Sequence, residues 1–281
     1  MAKNIEPTLA DFPKLHLLLA VVAIGMAYAT IIPAMVMDWS HDENYSHGFL
    51  VPLISGYFLW EKWPQLKTVR LQPSNAGLLV VAGSLLLLLL GFVGREYFTM
   101  RASLVMLLAG IILFWCGREV LKLTALPVGF LLFMVPLPYI VYDAIAFPLK
   151  LLVAEYSVLA LKVMGITVLR EGNIIMFPQT VLEVADACSG LRSLMSLLTL
   201  AVAVAFVFHK SLAKRLILIV SALPIAIVTN MFRVIATGVL AQYYGAAAAE
   251  GFFHEFAGLA VFILAMVLLL LESALLRRWY R

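Results

Sequence analysis

Asn75–Gly94 reads NAGLLVVAGSLLLLLLGFVG, a run with no charged residue. A helix needs about 20 such residues to cross a hydrocarbon core ~30 Å thick. Comparable runs occupy Leu15–Met37, Tyr45–Trp63, Ala102–Cys116, Leu123–Tyr142, Ala187–Phe208, Leu216–Leu240 and Phe252–Leu276. Composition agrees over the whole chain. Of 281 residues, 64% are hydrophobic and only 13% charged, whereas a soluble domain carries about 25% charge. There is too little polar surface to coat a globule in water. The apolar runs are long, continuous and rich in Leu and Ala, which excludes a β-barrel. The reading is an all-α polytopic membrane protein with about eight transmembrane helices. The net charge of +4 is no nucleic-acid signal, because the basic residues cluster at the ends of spans. Cys116 and Cys188 give no disulfide framework. The first apolar run lacks a small-residue cleavage site and continues into Pro33 and Met37, so it is not read as a cleavable signal peptide.

Two segments interrupt the pattern. Ala144–Gly165 is apolar but carries Pro148, Lys150, Glu155 and Lys162, and is expected to be an interfacial or re-entrant helix. Ile166–Asp186, ITVLREGNIIMFPQTVLEVAD, alternates β-branched and polar residues around Gly172–Asn173. It predicts a short extracytoplasmic β-hairpin. The chain then divides into five N-terminal spans (1–143), interfacial helix and hairpin (144–186), and three final spans (187–281). Lys and Arg set the orientation. Thirteen of them, in the tails and in the loops around residues 62–70, 118–122 and 210–215, fall on one side, against Arg95, Arg101 and Arg170 on the other. The richer side is cytoplasmic in this reading, with both termini inside and the hairpin outside.

Cys188, Arg233 and His254 stand out on the last three spans. At ~1.5 Å per residue they lie about 31, 27 and 34 Å from the cytoplasmic ends of their helices. All three therefore reach the outer boundary. A lone membrane cysteine is ordinarily a small core residue, and Cys116 takes that reading. Cys188 opens a helix in Ala-Asp-Ala-Cys-Ser-Gly-Leu-Arg, with Asp186 as a plausible N-cap. Helix N-termini favour thiolate, and Arg192 adds a positive charge one turn on. Arg233, with Asn230 on the same face, lies inside an apolar span, where an arginine is functional unless it snorkels. A histidine at the depth of a cysteine can act as its base.

These residues sit in strings that resemble the exosortase/archaeosortase family: Ala187-Cys188-Ser189-Gly190-Leu191-Arg192, Asn230-Met231-Phe232-Arg233-Val234, and His254 followed by Gly258. Tyr45-Ser46-His47-Gly48 and Arg170-Glu171-Gly172-Asn173 also look like the family. The resemblance runs from about Asp38 onward. It implies a single integral membrane domain of the bacterial branch, in the short form without an extra C-terminal periplasmic domain. It implies a cysteine peptidase or transpeptidase of the bacterial inner membrane, linked to exopolysaccharide-associated protein sorting, with Cys188 as nucleophile and Arg233 and His254 completing the site. The implied partners are exported proteins with a C-terminal Pro-Glu-Pro signal, a transmembrane helix and a basic tail, together with membrane lipid. No cofactor, metal or nucleic acid is implied. Arg192, Asn230, His47 and Arg170 are the expected substrate-binding residues, and Arg95 and Arg101 lie on the same side.

Two other readings stand beside this one. In a polysaccharide-precursor transporter, Arg233 and His254 would line a polar path. Such a protein should show midplane polar residues and inverted repeats, and neither is visible here. A non-catalytic scaffold leaves the arginine inside its span without a purpose.

Overall fold

The computed structural model describes residues 13–178, 181–184, 191–245 and 252–278, without the side chains of 191–192 and 252–256. The chain forms two compact units, Met1–Pro138 and Tyr139–Arg281.

In the first unit, α1 (Lys14–Ala27) and α2 (Ile31–His41) meet at a 66° bend. The stretch expected as one straight span is therefore a bent pair. Tyr28 at the bend is fully buried, and its hydroxyl shares a 2.8 Å hydrogen bond with Ser103. A 3-10 segment (Glu43–Phe49) leads into α3 (Leu50–Leu66). Helices α4 (Ala76–Gly94) and α5 (Tyr97–Trp115) form a tight hairpin. A Cβ at Gly77 would stand 2.2 Å from the Phe114 nitrogen, and one at Gly110 would stand 2.9 Å from that of Val81. Small residues let membrane helices approach this closely. At the turn, Glu96 caps α5 by accepting hydrogen bonds from the amides of Phe98 and Thr99. Cys116 packs against a small cluster of Leu66, Leu71 and Val120, as a core residue would.

The Leu123–Tyr142 span expected from the sequence does not form. Helix α6 (Arg118–Phe130) has 13 residues, or about 20 Å of rise. It decays into a 3-10 turn (Leu131–Met134) and stops before Pro136 and Pro138. Proline lacks an amide donor and forces the residue before it into extended geometry.

The stretch expected as an interfacial or re-entrant helix forms most of a longer helix. In the second unit, residues 144–163 belong to α7 (Tyr139–Val163), whose 25 residues rise about 37 Å. Its first turns pack with Ala205, Leu218 and Leu276. Its last turns pack with Ile175, Val184 and Val234. The first cluster runs along a bundle completed by α8 (Leu191–Phe208), α9 (Leu212–Tyr244) and α10 (Phe252–Arg278), and the second lies under the sheet. The charges that argued against a crossing are accommodated at the helix surface and end. Glu155 pairs with Arg170, and Lys162 lies in the last turn.

The expected hairpin is present as β1 (Leu169–Glu171) and β2 (Ile174–Met176), turning at Gly172–Asn173. Gly172 has φ +61°, which suits glycine. A third antiparallel strand, β3 (Val181–Glu183), pairs with β2.

Among the described residues, five helices are long and apolar enough to cross a membrane, or six if α1 and α2 count as one bent span. Eight were expected. The fold is an all-α polytopic membrane bundle with one small sheet.

Candidate active site

The sheet holds the chain that leads towards Cys188. The Val184 amide donates to the Asn173 carbonyl at 2.9 Å. The Asn173 side chain donates back to the Val184 carbonyl at 3.3 Å. Val184 is fully buried. Cys188 itself, with Asp186, lies outside the described residues. The chain re-enters at Leu191, the first residue of α8, followed by Arg192, whose side chain is not described.

Arg233 sits on α9, five residues before Gly238, which packs against Phe177 and Leu161 at the sheet end. The neighbouring Val234 belongs to the cluster under the sheet. The Nε of Arg233 is buried, and its guanidinium lies flat against α10 at Gly258. A Cβ at residue 258 would stand 3.4 Å from Nη2, 3.5 Å from Cζ and 3.7 Å from Nη1. Position 254 precedes Gly258 by four residues and so shares its helix face, about 5–6 Å along the axis. The backbone thus brings the guanidinium of Arg233 beside the α10 face that carries His254. The His254 side chain is outside the described residues.

Asn230 is 2% exposed. Thr229 and Thr237, four residues either side of the half-buried Arg233, are buried like Asn230. Sequence reading passed over this pair, although the i±4 spacing announces a polar stripe on one face of α9.

The remaining expected residues have local duties. Arg170 Nη2 meets Glu155 Oε2 at 3.4 Å, and Nη1 donates to the Gly172 carbonyl at 3.3 Å. Glu155 is 63% exposed, and such pairs contribute under about 1 kcal/mol, so Arg170 can exchange Glu155 for another carboxylate. Arg101 is buried and paired with Asp38. Arg95 adopts the left-handed conformation that ends α4. His47 is buried in the first unit with Nε2 3.2 Å from the Phe133 carbonyl. Trp39 donates to the Met134 carbonyl at 2.8 Å and Tyr45 to that of Leu137 at 3.4 Å. Three side chains from 39–47 thus clamp carbonyls freed where prolines break the helix. Gly48 leaves room for the Trp39 ring, which would stand 2.5 Å from any Cβ there.

A first prediction follows from Gly258. In a processing assay, Gly258→Ala should retain most activity, because its Cβ makes ordinary contact with the guanidinium. Gly258→Leu must displace the guanidinium, and a shift of about 1 Å in a positioned group costs roughly 100-fold. Equal activity of the two variants, at equal thermal stability, would remove Arg233 from the reaction.

Comparison with curated proteins gives no match, and comparison with solved structures gives none. The family model described as transmembrane exosortase matches residues 39–271, a range that includes the clamp, the sheet and positions 188, 233 and 254. With that much of the chain matched, the protein belongs to the transmembrane exosortase family.

Proposed function

We propose that this protein is a cysteine peptidase or transpeptidase acting on exported proteins at the outer face of the bacterial cytoplasmic membrane. The observation that carries the reading is the guanidinium of Arg233 held against Gly258, one turn from His254, at the sheet end of the second unit. The described flanks of Cys188, Val184 and Leu191, approach from that same end. In the proposed reaction the Cys188 thiolate attacks the scissile carbonyl carbon. The carbonyl π electrons move to oxygen, and Arg233 offers two N–H donors to the oxyanion. His254, protonated by the thiol, returns that proton to the leaving amine as the C–N bond breaks. A thioester remains on Cys188, and an acceptor amine or water attacks it, restoring the thiol.

The substrate class is an exported protein with a C-terminal Pro-Glu-Pro signal, a membrane helix and a basic tail, in a system linked to exopolysaccharide. The orientation has both termini cytoplasmic and the sheet outside. Exchanging the Leu123–Tyr142 crossing for α7 preserves it, because one crossing is lost and another gained. Arg192, four residues after the nucleophile in the sequence, is the natural partner of the signal's glutamate.

Co-expression with a tagged reporter tests this reading. The reporter ending in Pro-Glu-Pro, helix and basic tail should be shortened. Arg192→Glu should slow that conversion about 10- to 100-fold, the worth of one charged hydrogen bond. A Pro-Lys-Pro reporter should recover part of the loss. Equal conversion of both reporters by the unaltered enzyme would exclude charge pairing. No conversion of either would exclude this substrate class.

A further inference from the structure

The end of the second unit opposite the sheet carries a basic cluster and a groove that the proposed cleavage reaction does not use. Here α8 turns into α9 at His209–Ser211. Arg215 donates from Nε to the His209 carbonyl at 2.7 Å, and its guanidinium lies 4.2 Å from the Phe206 ring centre. Arg277, near the end of α10, lies 5.0 Å from that of Phe208. These cation–π contacts hold two guanidinium groups beside the turn. His209 is buried between them, its Nε2 2.9 Å from Ser273 Oγ. Burial, and then the charges of Lys214, Arg277 and Arg215, push the His209 imidazole below its ordinary pKa. Lys214, Arg215 and Arg277 make the local potential positive.

Beside this cluster a groove of about 600 Å³ opens between α9 and α10. Ile217, Leu275 and Leu276 form its apolar wall, and Glu272 and Arg278 supply its charges. Ile217 and Leu275 are 49% and 65% exposed, so the wall faces outward. Glu272 already accepts a 2.5 Å hydrogen bond from Ser221. The groove itself carries one cation, Arg278, and one carboxylate, Glu272; the surplus of positive charge comes from Lys214, Arg215 and Arg277 around His209 at the adjoining helix ends. Basic pockets between membrane helices suit anionic headgroups.

We propose that this groove binds an anionic phospholipid. Its headgroup phosphate sits at Arg278 and the neighbouring basic residues, and its acyl chain lies along Ile217 and Leu275. A basic peptide segment fits poorly, because the cations outnumber the one carboxylate. A soluble anion leaves the apolar wall unused.

The test uses the full-length protein, delipidated in detergent and followed by native mass spectrometry. Phosphatidylglycerol, phosphatidylcholine, glycerol phosphate and a lysine-rich peptide are titrated separately. Phosphatidylglycerol should bind at least tenfold more tightly than phosphatidylcholine. Arg277→Gln and Arg278→Gln should each reduce that preference about fivefold. Ile217→Asn should weaken phosphatidylglycerol without creating binding of glycerol phosphate. Cys188→Ala should bind like the unaltered protein, so the result stands apart from the cleavage reading. Equal binding of the two lipids, an unchanged preference in both arginine variants, equally tight binding of glycerol phosphate, or preferential binding of the peptide would each overturn the proposal.

Discussion

Cys188→Ala should abolish conversion of the reporter while leaving expression and thermal melting unchanged. Every step of the proposed reaction passes through a bond to the sulfur, and alanine cannot form it. Where nucleophile, base and oxyanion donor act as a unit, removing the nucleophile costs on the order of 10⁶-fold. Cys188→Ser should be nearly as damaging. A hydroxyl stays protonated at neutral pH, whereas a thiol ionises far more readily. Conversion of the reporter by the alanine variant would exclude a cysteine enzyme and return attention to transport or scaffolding.

Arg233→Lys carries the second large effect. Lysine preserves the positive charge but has no planar pair of donors, and its ammonium is a strongly hydrated point charge. The flat face that Gly258 offers to the guanidinium has no use for it. Losing an oxyanion donor costs about 10²- to 10³-fold in kcat, so lysine should fail almost as badly as alanine, with KM little changed. If lysine restored near-normal turnover, Arg233 would supply bulk charge and the oxyanion role would fall.

The apolar runs that became α4, α5, α9 and α10 were legible because lipid demands length and hydrophobicity together. The β1–β2 hairpin was legible at Gly172–Asn173, a local turn signal. Strand β3 was not, since three residues carry no periodicity and its pairing is decided by β2. The Val135-Pro136-Leu137-Pro138 break was written in the sequence but overridden by the hydrophobicity around it. Helix α7 was legible as a helix, but its length was not. Lys150, Glu155 and Lys162 look prohibitive when counted in isolation, and the Glu155–Arg170 pair forms only when the sheet folds back against the helix. At the candidate site, an arginine inside an apolar span marks itself by its cost. Its contact with Gly258 requires two helices and could not be read from either. The clamp made by Trp39, Tyr45 and His47 was hidden in the same way, because its acceptors lie near residue 135.

The most direct measurement is of the bond itself. Purified enzyme is mixed with the Pro-Glu-Pro reporter, quenched in acid during turnover, digested and analysed by peptide mass spectrometry. A reporter fragment should be joined through a thioester to the peptide containing Cys188, released by neutral hydroxylamine and absent from Cys188→Ala. Turnover in which the Cys188 peptide stays unmodified, or in which the fragment is carried by another residue, would contradict this mechanism.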